Sequence, residues 1–195
     1  RQYDGYEEAG RVSDANYQLD PVAFPYPEVI KANLGRLNIT TASGDTDNDG
    51  DFHVIHAYGG RSVSIWNAAT GALVWDSGDD MELMLAQHPV FGAIFNASNA
   101  NNTLKNRSDD KGPEPEGIAV AMTNNKVYAF IALERMGGCM VYDITNPAAP
   151  VFSDYKNSRT IASYGGDQGA EGIVYIKAAD APGGTPIMIL AHAVS

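Results

Sequence analysis

The sequence predicts an all-β fold, specifically a β-propeller of four-stranded antiparallel blades, of which about two and a half are present. Three observations predict it. From Leu37 onward, short apolar or alternating runs are punctuated by Gly, Asn, Asp and Pro, the pattern of strands joined by tight turns. Three segments line up as variants of one repeating unit. The tripeptide Glu-Gly-Ile opens a strand in two of them, at Glu116 and Glu171.

The elements follow in chain order. Residues 1–35 read as an extended N-terminal segment: Pro21, Pro25 and Pro27 stiffen it, and a short helical turn is expected around Glu28 to Asn33. Residues 36–195 form the partial propeller. Its first unit has strands near 37–41, 52–58, 62–67 and 72–76. The second runs from Gly117 to Met122, through the turn Thr123-Asn124-Asn125, to Val127–Leu133, Gly138–Asp143 and Val151–Tyr155. The third begins at Gly172-Ile173-Val174-Tyr175-Ile176, turns through Ala181-Pro182-Gly183-Gly184 and continues through Ile187 to Leu190. This number of blades cannot close a ring, so the remaining blades are expected from the same or another chain, covering apolar residues such as Ile187 and Ile189.

Composition narrows the class. The 195 residues are 44% hydrophobic, enough for a packed core, and 24 acidic against 13 basic residues give a net charge of −11. That balance disfavours nucleic-acid backbones and anionic membranes, and favours cations. No stretch approaches the ~20 apolar residues of a membrane span. Cys139 is the single cysteine, which excludes an intrachain disulfide framework. Glycosylation sequons begin at Asn38, Asn96, Asn101 and Asn106 and lean towards an extracellular, secreted or cell-surface protein.

The densest chemistry is Gly44-Asp45-Thr46-Asp47-Asn48-Asp49-Gly50-Asp51. Four carboxylates in seven residues repel one another unless a cation neutralises them. Asp45, Asp47, Asp49 and Asp51 on alternate residues offer oxygen ligands suited to calcium, and Gly50 permits the tight backbone turn. The EF-hand pattern fails at its end, where His53 and His56 stand and no bidentate glutamate follows. The loop therefore joins a β-hairpin rather than two helices. The alternative is a solvated acidic turn.

Glu116 and Glu171 lie 55 residues apart (171 − 116) at equivalent places in two units. Blade equivalence aims both at one rim of the central channel, where they either hold a divalent ion, divide acid and base roles, or simply cap turns and pair with arginines. Upstream, Arg107 and Lys111 in a long charged connection are candidate phosphate ligands or ordinary solvated loop residues. Ser108 has no base identified by spacing. Trp66 and Trp75 flank a strand–turn–strand pattern and are read as docking residues between blades.

The stretches LGRLNITTASGDTDNDGD, AYGGRSVSIWNAATGALVWDSGDD, NRSDDKGPEPEGIAVA, YAFIALERMGGCMVYDITNPAAP and GAEGIVYI resemble the "choice-of-anchor I" extracellular propellers. That family includes atypical alkaline phosphatases and mesenchyme-specific cell-surface glycoproteins. The resemblance implies that Asp45, Asp47, Asp49 and Asp51 form the calcium loop and that Glu116, Glu171 and Glu134 are channel carboxylates. It implies either a calcium-dependent phosphomonoesterase working through a metal-activated water, or a non-catalytic matrix, adhesion or biomineralisation protein. Phosphate esters, glycan or mineral are the corresponding partners. Two departures bear on this choice: His53 and Ala193 stand where the family commonly has acidic residues.

Overall fold

The computed structural model describes residues 2–3 and 6–194. They divide into two compact units, Arg1–Gly59 with Ser108–Asp110, and Gly60–Arg107 with Lys111–Ser195.

In the first unit, β1 (Gln2–Tyr3) pairs with β2 (Tyr6–Glu7), and β3 (Ala9–Arg11) pairs antiparallel with β4 (Asn38–Thr40) in the register Ala9↔Thr40. Helix α1 (Pro27–Leu34) confirms the expected helical turn. Its proline sits in the first turn, where a missing N–H costs nothing, with Glu28 at the positive end and Lys31 in the last turn. Val12, Tyr17, Leu19, Ile39 and Phe52 form the core of this unit. The Tyr17 and Phe52 rings stack with centroids 4.2 Å apart. Each such buried side chain contributes about 1.5–3 kcal/mol. Asp109 is bound here: its carboxylate lies 3.2 Å from Arg11 Nη1 and 3.2 Å from Arg36 Nη2, and its carbonyl accepts the Asn38 amide at 2.7 Å.

The expected strand over 52–58 is replaced by two isolated bridges, Leu19↔Phe52 and Ile39↔Ala57. The reason is local. The amides of His53 and Val54 both turn back onto the Gly44 carbonyl, at 2.8 and 3.1 Å, so they are not available to a ladder. Gly44 is obligatory in that turn, because φ is +110° and a Cβ would stand 2.3 Å from the Val54 carbonyl oxygen.

In the second unit, β5 (Ser64–Trp66) and β6 (Leu73–Asp76) make a hairpin. Its turn is closed by Asn67, whose Oδ1 accepts the Ala69 and Thr70 amides. Because β4 pairs with β3 and β5 pairs with β6, the first predicted repeat is not a four-stranded meander. The second repeat is one. β7 (Pro115–Thr123), β8 (Lys126–Leu133), β9 (Cys139–Asp143) and β10 (Val151–Lys156) lie in the order β10-β9-β8-β7, all antiparallel. β11 (Gln168–Ile176) and β12 (Ile187–Val194) form the third segment as a hairpin. Small antiparallel sheets dominate the described residues, as an all-β reading requires.

One helix was not expected. α2 (Asp80–Gln87) buries Met81 and Leu85, an i,i+4 pair, and is followed by a 3₁₀ turn over Phe91–Ile94. Met81, Leu85, Phe91 and Ile94 pack with Ile131, Leu133, Met136, Met140, Tyr142 and Tyr155 to form the core of this unit. Cys139 is buried, and burial raises its thiol pKa to about 11, which makes it inert rather than nucleophilic. On β7 the residues Ile118, Val120 and Met122 alternate outward, exposed by 53–74%. Val174 on β11 and Ile189 on β12 are exposed as well.

Candidate functional site

The acidic loop is held by its own first carboxylate. Asp45 Oδ1 accepts the Asn48 amide at 2.7 Å and Oδ2 accepts the Gly50 amide at 3.0 Å. Asn48 and Gly50 adopt left-handed φ values of +64° and +103° to bring those amides inward. Some loss of hydration opposes ionisation of Asp45, but the surrounding amides outweigh it and hold this carboxyl below its ordinary range.

Asp51 behaves oppositely. Lost hydration, then the charges of Asp49 and Asp20, raise its pKa, and His53 only partly offsets them. Among the described residues its solvent-sealed Oδ1 has no hydrogen-bond partner, nor has His53 Nδ1 4.0 Å away. His53 Nε2 stands 3.7 Å from Asp47 Oδ2 on its other side.

Two sets of donor atoms therefore converge, Asp45–Asp47–His53 and Asp20–Asp51–His53, each within a span of 4.8 Å. Asp20 was not legible as a participant. The Leu19↔Phe52 bridge and the Asp20 N–H to Phe52 carbonyl bond of 3.1 Å carry it there from 31 residues upstream of Asp51 (51 − 20). Orphaned buried donors among mutually repelling carboxylates fit a hard divalent cation. The imidazole is the one ligand calcium does not favour.

A second polar cluster lies where β7 begins and β8 ends. Arg135 Nε donates to Glu114 Oε2 at 2.6 Å, and Arg135 Nη1 lies 2.9 Å from Glu134 Oε1 and donates to Asn99 Oδ1 at 2.8 Å. Lys111 Nζ is bonded to Glu114 Oε1. Burial pushes the Glu134 carboxyl up to about 7, and the hydrogen bond and charge of Glu114 add to the rise against the pull of Arg135. Burial opposes ionisation of Glu114 too, but hydrogen bonds from Glu134 and Lys111 overcome it and lower its pKa. The two neighbouring carboxyls are thus driven in opposite directions, Glu134 upward and Glu114 downward. Glu114 holds a left-handed φ of +54°, an unfavourable conformation for a glutamate.

The two Glu-Gly-Ile motifs occupy equivalent irregularities. The β7–β8 register shifts between Pro115 and Ile118, and the β11–β12 register shifts between Ala170 and Gly172, so Glu116 and Glu171 both sit at β-bulges. The bulges approach closely: a Cβ on Gly117 would lie 2.8 Å from the Glu171 carbonyl oxygen. Both glutamate side chains are exposed, and Glu116 also reaches Glu134 by a side-chain hydrogen bond. Of the two candidate phosphate ligands, Lys111 is engaged by Glu114, and the Arg107 carbonyl accepts the Lys111 and Gly112 amides in a tight turn. Trp75 packs against Tyr142, whereas Trp66 is largely exposed beside it and lines an apolar groove with Ile118 and Val120.

The described residues make a strand-rich β domain that carries a carboxylate loop, and comparison with known proteins specifies the family. The choice-of-anchor I domain signature matches residues 1–147, and the chain belongs to that family. It is 30% identical over 173 residues to Gigasin-3a of Magallana gigas, covering 82% of this chain and 61% of that protein. It is 26% identical over 128 residues to the mesenchyme-specific cell surface glycoprotein of Strongylocentrotus purpuratus, covering 58% of this chain and 16% of that protein. The chain thus spans less than two thirds of either relative. No solved structure matches it. Among the described residues, no helix is long and apolar enough to cross a membrane.

Proposed function

We propose that this chain is part of a secreted or cell-surface glycoprotein of the choice-of-anchor I family whose acidic loop binds calcium, and that its role is adhesive or matrix-associated rather than catalytic. Two donor sets that share His53, Asp45 with Asp47 and Asp20 with Asp51, together with the solvent-sealed Asp51 Oδ1 and His53 Nδ1, carry the cation-binding reading. The net charge of −11 and the cell-surface character of one relative support the extracellular setting. In this reading the exposed apolar rows on β7, β11 and β12 are covered by further propeller blades from the same or another chain.

Thermal unfolding in calcium and in chelator tests the site. An ion that binds only the folded state at 100 times its dissociation constant adds about 2.7 kcal/mol. Asp47→Ala is the informative variant, because Asp47 faces His53, whereas Asp45 also fastens the loop backbone. A midpoint insensitive to calcium, or a calcium response that survives Asp47→Ala unchanged, refutes the ligand assignment.

A second reading, calcium-dependent hydrolysis of phosphate monoesters, is favoured by the pairing of Glu114 and Glu134 on Arg135, with their carboxyls driven in opposite directions. A carboxyl that keeps its proton near neutrality beside an ionised one is suited to acid–base work. Here Glu116 and Glu171 would hold the ion, Glu134 would supply or accept the proton, and Arg107 or Lys111 would meet the phosphate. Release of chromophore from a chromogenic phosphate ester by the full-length protein, abolished by chelator and by Glu116→Gln but not by Ser108→Ala, would establish this second reading over the first. No turnover with any divalent ion leaves the matrix role.

A further inference from the structure

The three clustered sequons, Asn96-Ala97-Ser98, Asn101-Asn102-Thr103 and Asn106-Arg107-Ser108, are unlike in structure. Residues 97–104 form a loop whose neck is closed by Lys105 N–H to Phe95 carbonyl at 2.7 Å and Arg107 N–H to Asn96 carbonyl at 2.8 Å. Asn96 lies inside the neck. It is 1% exposed, and its Nδ2 donates to Glu82 Oε1 at 2.7 Å. No sugar fits there. Asn106 turns its Nδ2 towards Asn101 Oδ1 at 3.3 Å, so a sugar on Asn106 would be driven into the Asn101 side chain.

Asn101 is arranged differently. Its backbone carbonyl is pinned from inside by the buried Arg159 guanidinium, and the next residue, Asn102, donates its amide to the Thr160 carbonyl at 2.9 Å. Its side-chain Oδ1 accepts the Thr103 N–H at 2.9 Å, an Asx turn that folds the whole Asn101-Asn102-Thr103 sequon around that oxygen. Among the described residues, every side-chain bond of Asn101 is made through Oδ1 and none through Nδ2; Asn101 is half-buried, and Thr103, Leu104 and Lys105 beyond it are exposed.

We infer that Asn101 is the N-glycosylated residue of this loop and that Asn96 and Asn106 remain unmodified in the folded protein. The donor is a lipid-pyrophosphate-linked oligosaccharide of the eukaryotic secretory pathway. The Asn101 Nδ2 attacks the anomeric carbon, the N–C bond forms as the C–O bond to pyrophosphate breaks, pyrophosphate departs with the lipid, and Nδ2 gives up one of its two protons. Oδ1 is untouched, so the bonds from Thr103 and Asn106 persist beneath the sugar. The assignment holds whether or not the acidic loop binds calcium.

The test uses the full chain secreted from eukaryotic cells. The folded fraction is treated with peptide N-glycosidase in heavy-oxygen water and mapped by peptide mass spectrometry. A heavy aspartate at position 101, with none at 96 or 106, is expected. Absence of label at 101, or label at 96 or 106 in folded protein, overturns the proposal. Two variants separate glycan from structure. Asn101→Gln should lose one glycan from the mass and keep the unfolding midpoint, whereas Asn96→Gln should keep the glycan and unfold several degrees lower, because the longer side chain disturbs a fully buried amide and its bond to Glu82, which Arg61 Nη1 also contacts. Loss of the glycan on Asn96→Gln, or its retention on Asn101→Gln, contradicts the assignment.

Discussion

Arg159 is 4% exposed, yet among the described residues its guanidinium bonds carbonyl and amide oxygens and no carboxylate. Nε donates to Asn102 Oδ1 at 2.9 Å, Nη1 to the Arg135 carbonyl at 2.9 Å, and Nη2 to the carbonyls of Ser98, at 2.7 Å, and Asn101. One side chain thereby joins the 97–104 loop to the β8–β9 turn. Arg159→Met keeps most of the volume and leaves those four acceptors without a donor. At about 1 kcal/mol for each orphaned acceptor the loss is roughly 3–5 kcal/mol, allowing for the desolvation that the buried cation no longer incurs. For a chain of this size that lowers the thermal midpoint by on the order of 10 °C. Calorimetry and urea unfolding measure it, with Arg159→Lys expected between the two because an ammonium cannot reproduce the planar fork. A loss under about 1 kcal/mol for Arg159→Met would show that water replaces the guanidinium without penalty, and would refute the view that this residue holds the loop.

Two further outcomes are expected. The folded-state pKa of Glu134 is raised from 4.5 to about 7, so the stability it contributes is fully present below pH 4.5 and is lost as pH rises through 7. Unfolding free energy measured across that window should fall with pH in the wild type and fall less in Glu134→Gln, while equal slopes would dismiss the upward shift of Glu134. Gly138→Ala should be among the most damaging small substitutions, costing at least about 1–3 kcal/mol from the left-handed backbone alone. Its φ is +74°, and a Cβ would stand 2.2 Å from the Lys156 carbonyl oxygen, so a near-neutral midpoint on thermal melting would exclude this close approach.

What the sequence determined by itself is whatever rests on local pattern. The meander from Pro115 to Lys156 was legible because its alternation, its Asn124-Asn125 turn and its glycines act over a few residues. The repeated Glu-Gly-Ile marked two positions that prove to be equivalent β-bulges. The spacing of Asp45, Asp47, Asp49 and Asp51 announced a loop that organises itself through its own amides. Tertiary structure decided the rest, because long-range pairing competes for the same backbone groups and local pattern cannot say which partner wins. β3 took β4, and Gly44 took the amides of His53 and Val54, so a predicted strand became two bridges. Asp20 joined the acidic loop through a parallel bridge that no spacing records, and Glu114 and Glu134 came together on the one Arg135 guanidinium. Three neighbouring sequons were sorted by burial and hydrogen bonding: only the folded chain turns Asn96 inward to Glu82, points the Asn106 amide at Asn101 and engages Asn101 through Oδ1.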